Sequence, residues 1–150
     1  ARVPIVLDEG LTTLASVDRA MALGWGGVAL KTCKTQSLML LTLPKAVEAG
    51  LHVTVQDLTN PGIALVQSVG LAARLPVTRP FETNAGQYFP NTSLPEAAVL
   101  PGVFHPEGGE VSTAEIGGTG FGYRVGEIDR ALFQAAGLRE GGAPQPPTER

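Results

Sequence analysis

The feature that most restricts this chain is the spacing of four short apolar runs, each of which ends on a charged residue. The ends fall at Asp8, Lys31, Asp57 and Glu82, separated by 23, 26 and 25 residues. That interval holds one helix and one strand, so the pattern predicts consecutive βα units and a parallel sheet. Ile5–Leu7 reads as the first strand. A helix from about Thr13 to Leu23 follows, with Leu14, Val17, Ala20 and Met21 on one face, a threonine at its start and Gly24 past its end. Gly27–Leu30 is the second strand, ending at Lys31. The second helix spans Ser37 to Ala49, with Gly50 after it and Pro44 inside it, where a kink or break is expected. His52–Val55 is the third strand, ending at Gln56-Asp57. Asn60-Pro61 then opens a helix to about Arg74, with Asn60 as cap. A fourth strand near Val77–Phe81 ends at Glu82, with Pro80 blurring its boundary.

In a parallel sheet every strand delivers its C-terminal end to one rim, where α/β folds bind ligands. Four polar residues are therefore expected together. The fold class is α/β, four βα units of a partial (β/α)8 barrel, since a whole barrel needs about 200 residues or more. An open α/β sheet is the other arrangement the spacing allows. The abrupt start just before a strand favours a piece of a longer chain. Residues 1–135 form the folded portion. The last fifty residues hold eleven glycines and five prolines, and 136–150 read as a flexible tail.

Composition excludes several classes. A net charge of -3 speaks against nucleic acid or an anionic membrane as partner. The chain has no apolar run long enough to span a bilayer. Cys33 is the one cysteine, which fits a reducing, cytoplasmic setting.

At the rim, the plain reading is a solvated ring of ion pairs. The sharper one is acid–base chemistry beside a metal. Asp8 supplies a hard oxygen ligand for a Mg²⁺-type ion. Lys31, partly buried beside that cation, has its pKa pushed down and exchanges a proton with carbon. One carboxylate does not hold a divalent ion, so further ligands are required.

The stretches LDEG, GGVALKTCK, VTVQDLTNPGIALVQSVGLAARLP and PFE resemble the C-terminal half of the enolase superfamily, nearest its mandelate racemase and muconate-lactonizing-enzyme branch. The late EIGGTGFGYRVGEIDRAL resembles the glycine-rich segment and last helix that close those proteins. The resemblance covers roughly residues 3 to 135 and is most specific at the Asp8-to-Lys31 spacing with Lys31-x-x-Lys34. It implies a Mg²⁺-dependent enzyme that removes the proton next to a carboxylate, giving a racemase or epimerase, a dehydratase or a cycloisomerase. Asp8 matches the third of three acidic metal ligands, and Glu9 its usual acidic neighbour. Lys31 matches an acid/base catalyst on strand six, and Lys34 the second lysine of that motif. Asp57 lies at the end of strand seven, where another branch carries a catalytic histidine. Glu82 matches a strand-eight acid that meets the substrate. Lys31, Asp57 and Glu82 are thus the catalytic candidates, and Lys34 and Asn84 the substrate-binding ones.

The sequence departs from the family where Thr35-Gln36-Ser37 replaces the usual glycine pair, and where Asp57 replaces histidine. Asp57 is equally suited to binding substrate or capping the Asn60 turn. The family's strand-two lysine pair, two metal ligands and capping domain have no counterpart here, so this stretch alone is expected to be catalytically incomplete. Its expected partners are a small carboxylate substrate, the N-terminal half of the barrel with the capping domain, and further copies of the complete protein. The rival expectation is a non-catalytic barrel remnant acting as an interaction module. His52, His105 and Trp25 read as structural, Cys33 has no histidine partner, and the Gly117–Gly122 stretch reads as a closing loop rather than a phosphate loop.

Overall fold

The computed structural model describes residues 3–57, 59–75 and 78–132. Four parallel strands lie in the order β1 (Val6–Leu7), β2 (Gly27–Lys31), β3 (His52–Gln56) and β4 (Thr78–Glu82). Between them run α1 (Leu14–Ala22), α2 (Gln36–Glu48) and α3 (Ile63–Ala73). The chain is therefore α/β, built from consecutive strand–helix units.

Strand parity organises the core. Leu7, Val28, Leu30, Val53 and Val55 project to one face and pack against Val17 and Ala20 of α1, Met39 and Ala46 of α2, and Leu71 of α3. The other face carries small or polar residues: Gly27, Ala29 and Lys31 on β2, and Thr54 and Gln56 on β3, because successive side chains alternate. Three short helices, α4 (Ala85–Tyr88), α5 (Leu94–Val99) and α6 (Pro101–Phe104), follow β4. Leu100 and Val103 pack with Leu65, Val66 and Val69 of α3 in a second cluster.

The local signals explain most boundaries. Thr13 caps α1 through a capping box with Ser16. Gly24 and Gly50 take positive φ just past α1 and α2. Met21, placed on the inner face of α1 by periodicity, is 39% exposed instead.

Two expected boundaries are corrected. The second helix runs unbroken through Pro44. Pro44 and Leu40, four residues before it, are both exposed, so the carbonyl that loses its intrahelical donor lies on the solvent side. The third helix starts at Ile63 with Gly62 as its cap, not at Asn60. Asn60 instead folds back, its backbone N–H and side-chain amide both donating to the Asp57 carbonyl. Pro80 is accommodated in β4 by a register irregularity between Val53 and Val55, and its carbonyl accepts from the Thr54 hydroxyl at 2.6 Å. The expected tail, 136–150, lies outside the described residues. Among the described residues, no helix is long and apolar enough to cross a membrane.

Candidate functional site

Lys31, Gln56 and Glu82 stand side by side in register at the C-terminal ends of β2, β3 and β4. Asp8 follows β1 directly. Continuing the alternation from Val6 opposite Gly27, it falls on the same face as Lys31. The structure thus brings Asp8, Lys31 and Glu82 to one face of one rim.

Lys31 is 3% exposed, and its ammonium lies 2.6 Å from Asp8 Oδ1 and 2.5 Å from Glu9 Oε1. A second lysine joins from the 3₁₀ turn Thr32–Lys34 that ends β2. Lys34 Nζ donates to the carbonyls of Asp8 at 3.0 Å and Glu9 at 2.9 Å, and lies 3.4 Å from Glu9 Oε2. The result is a charge-balanced cluster of two carboxylates and two ammonium groups across the β1–β2 edge. Glu82 is exposed at the same rim, one strand beyond Gln56.

Burial by itself pushes the Lys31 pKa down, but hydrogen bonds and charge from Asp8 and Glu9 outweigh it, and the net direction is up. The neighbours that set this direction are carboxylates, whereas the downward shift expected from the sequence is the one a bound cation would cause. The two lysines in turn hold the Glu9 carboxyl below its ordinary value.

Asp57 sits at the same end of the sheet but turns the other way. One residue past Gln56, it falls on the face of Val53 and Val55, towards the helices. Its carboxylate is 2% exposed and engaged by the chain itself. Oδ1 accepts from the Thr59 N–H at 2.7 Å; Oδ2 accepts from the Thr83 hydroxyl and from the N–H groups of Asn84 and Ala85 at 2.9, 3.0 and 3.1 Å. Of the uses open to Asp57 on the sequence, the geometry displays the turn-capping one, extended to the start of α4.

Asn84 is half-buried, with its carboxamide oxygen enclosed, at the wall of a cavity of about 520 Å³. Thr83, Gln87, Phe89, Ser93 and His105 share that wall. The glycine-rich stretch lies elsewhere. The Gly117 carbonyl accepts from Arg74 at 2.9 Å, and Arg74 caps the C-terminal end of α3, which has already returned from the rim. That segment therefore lies by the opposite end of the sheet from the rim.

A residue that sequence reading passed over is Gln56, half-buried between Lys31 and Glu82 in register. Strict alternation was the available signal: Val53, Val55 and Asp57 share one face, and Thr54 and Gln56 the other.

A Mg²⁺ ion takes about six oxygen ligands. Asp8 offers one carboxylate, already paired on Oδ1 with Lys31, and Glu9 faces the two lysines. Among the described residues no group of three or more His, Cys, Asp or Glu side chains is placed to hold a metal. These residues do not hold a divalent ion by themselves. Comparison with protein family models, with curated proteins and with solved structures finds no match to this chain.

Proposed function

We propose that this chain supplies the C-terminal βα units of an enolase-superfamily barrel whose reaction is removal or return of the proton next to a carboxylate. The observation that carries the reading is the contact between the Lys31 ammonium and Asp8 at 2.6 Å, at the C-terminal rim of a parallel sheet. Helices α1–α3 cover one face of the sheet, while the face bearing Lys31 has small and polar residues. A barrel has helices outside and a lined interior, whereas doubly wound sheets carry helices on both faces, so the one-sided cover supports a barrel.

In this reading Lys31 is the proton carrier at the α-carbon. As the ammonium held by Asp8 and Glu9 it returns a proton to carbon; to remove one it first passes its own proton to a neighbouring carboxylate and acts as the free amine. Along the rim Lys31 is followed in register by Gln56 and Glu82, of which Glu82 is the exposed one. Glu82 lies on the same face and serves the substrate end of the site, and Asn84 lies just beyond it. Asp57 contributes by holding the Thr83–Ala85 loop. Asp8 would supply one ligand to the Mg²⁺ of the family, which would stabilise the charge that develops on the substrate carboxylate, and further ligands would be required. Racemisation, elimination and cycloisomerisation share this first step.

The test is solvent-deuterium incorporation at the α-carbon of a carboxylate substrate by the complete polypeptide. Lys31→Ala is expected to lower incorporation by roughly 10²-fold or more, the contribution of a general acid–base residue. Incorporation at the parental rate would remove lysine from the role.

The edges of the sheet favour one other reading. Strands β1 and β4 are both terminal in the described sheet, and open edges invite pairing with another chain. A non-catalytic interaction module would self-associate or bind a partner through those edges with Lys31 replaced. The proton-transfer reading instead loses isotope exchange on that replacement.

A further inference from the structure

We infer that Lys34 is a positioning residue: its ammonium clamps the Asp8–Glu9 corner by the backbone and thereby sets the two carboxylates that hold Lys31. An ammonium has three N–H donors and accepts nothing. Lys34 faces three acceptors, the carbonyls of Asp8 and Glu9 at 3.0 and 2.9 Å and Glu9 Oε2 at 3.4 Å. Its side chain is 16% exposed. Two donors are spent on backbone carbonyls and the ammonium is also paired with Glu9, so Lys34 serves the site through Asp8 and Glu9 rather than by touching a ligand.

The corner needs such a clamp. Strand β1 pairs with β2 through Val6 and Leu7, with the Gly26 N–H donating to the Ile5 carbonyl just before them, so Asp8 leaves the sheet after a two-residue ladder. Beyond it, the Asp8 carbonyl takes the Leu11 N–H at 2.9 Å, and Leu11 is fully buried. Lys34 donates to that same carbonyl. Lys31 ends β2 and Lys34 ends the turn that follows it, so a single piece of backbone grips the corner twice: Lys31 by its side chains, Lys34 by its main chain. This inference stands on the geometry of the corner and holds whether or not the proposed proton transfer is correct.

The chain has three lysines, Lys31, Lys34 and Lys45, so lysine-selective ¹⁵N labelling of the full chain gives three side-chain ammonium signals. Lys34→Met keeps the length and apolar stem and removes the donors. It is expected to speed Leu11 amide hydrogen exchange by about tenfold or more and to shift and broaden the Lys31 ammonium signal, while β3 amides keep their protection. Lys34→Arg, which can still donate to two carbonyls, is expected to bring Leu11 exchange back to within about threefold of the parent. Parental exchange and an unmoved Lys31 signal in Lys34→Met overturn the inference, as does Lys34→Arg behaving like Lys34→Met. Should Lys34→Met not fold, acylation of the parent chain decides. Lys34 is expected to react about tenfold more slowly than the 33% exposed Lys45, and equal rates overturn the clamp. A complete protein inactive in α-proton exchange would leave all of these readouts in place.

Discussion

Two corners of the same rim each gather an acidic residue and a loop, and they do so by opposite physics. At the β1–β2 corner, Asp8 and Glu9 meet Lys31 and Lys34: the partners of the two carboxylates are ammonium groups, and the Asp8 and Glu9 side chains remain 42% and 70% exposed. At the β3–β4 corner, Asp57 is closed off and takes its hydrogen bonds from three backbone N–H groups and a hydroxyl. A carboxylate wrapped in fixed amide donors is a structural part, because neither its oxygens nor the donors are free to change partners. A carboxylate paired with an ammonium and itself open to solvent can trade that partner for a ligand. The proposed proton transfer uses the first corner, and the hydrogen bonds of the second make it scaffolding.

The largest expected effect lies at the scaffolding corner. Asp57→Ala removes the acceptor for four donors, and each buried polar group left unpaired costs about 1–3 kcal/mol. Some of these groups reach water in the relaxed loop, so a loss of about 3–5 kcal/mol is expected, a large share of the stability of a small domain. Urea unfolding followed by circular dichroism measures it. A loss below about 1 kcal/mol would show that the Thr83–Ala85 loop stands without Asp57 and would reopen that carboxylate to other roles.

The contrast between the corners was only half legible in the sequence. The four strand ends were readable because each apolar run is short and stops at a charged residue, and glycines punctuate the helices. Which way a strand-end side chain turns depends on parity counted from the pairing register, and at β3 one position separates Gln56 on the Lys31 face from Asp57 on the helix face. The Asn60-Pro61 dipeptide has the composition of a helix start, but the Asp57 carbonyl captures Asn60 and positive-φ Gly62 becomes the cap. The role of Lys34 depends on its reaching the backbone of a segment about 25 residues earlier, which no local pattern encodes. Glu9 could be noticed as a neighbour of Asp8, yet its bridge between the two lysines appears only in three dimensions.

A middle-sized effect is expected in the pH dependence of the charged corner. The lysines lower the Glu9 pKa, so its contribution to stability is present above the ordinary glutamate value and is lost as pH falls through the lower, folded-state value. The Lys31 pKa is raised, so its contribution is present below the ordinary lysine value and is lost as pH rises through the higher, folded-state one. Lys31→Met removes the alkaline effect and the larger part of the acid one, leaving Lys34 beside Glu9. Urea midpoints measured across acid, neutral and alkaline pH should therefore give a flatter profile at both ends than the parent chain. An unchanged profile would mean that the ion pairs in this corner do not differ between folded and unfolded chain.

The smallest effect concerns the backbone that carries the lysine turn. Thr35, next to Lys34, has φ 91° and ψ 133°, a region that a β-branched residue enters at a cost of about 1–3 kcal/mol. Its hydroxyl also accepts from the Leu38 N–H at 3.3 Å as the cap of α2. Thr35→Gly relieves the strain, forfeits a cap worth a few tenths of a kcal/mol against glycine, and adds about 0.4–1 kcal/mol of unfolded-chain freedom. The balance is a gain of about 1 kcal/mol, read as a higher urea midpoint with the same slope. The scaffolding corner offers a matched control: Thr59, with φ 63°, is held there by the Asp57 hydrogen bond at 2.7 Å. Glycine at 59 relieves a milder backbone penalty and keeps that N–H donor, so Thr59→Gly should gain less than Thr35→Gly. The reverse order would place the greater strain at the Asp57 loop, and the charged corner would then be the more relaxed of the two.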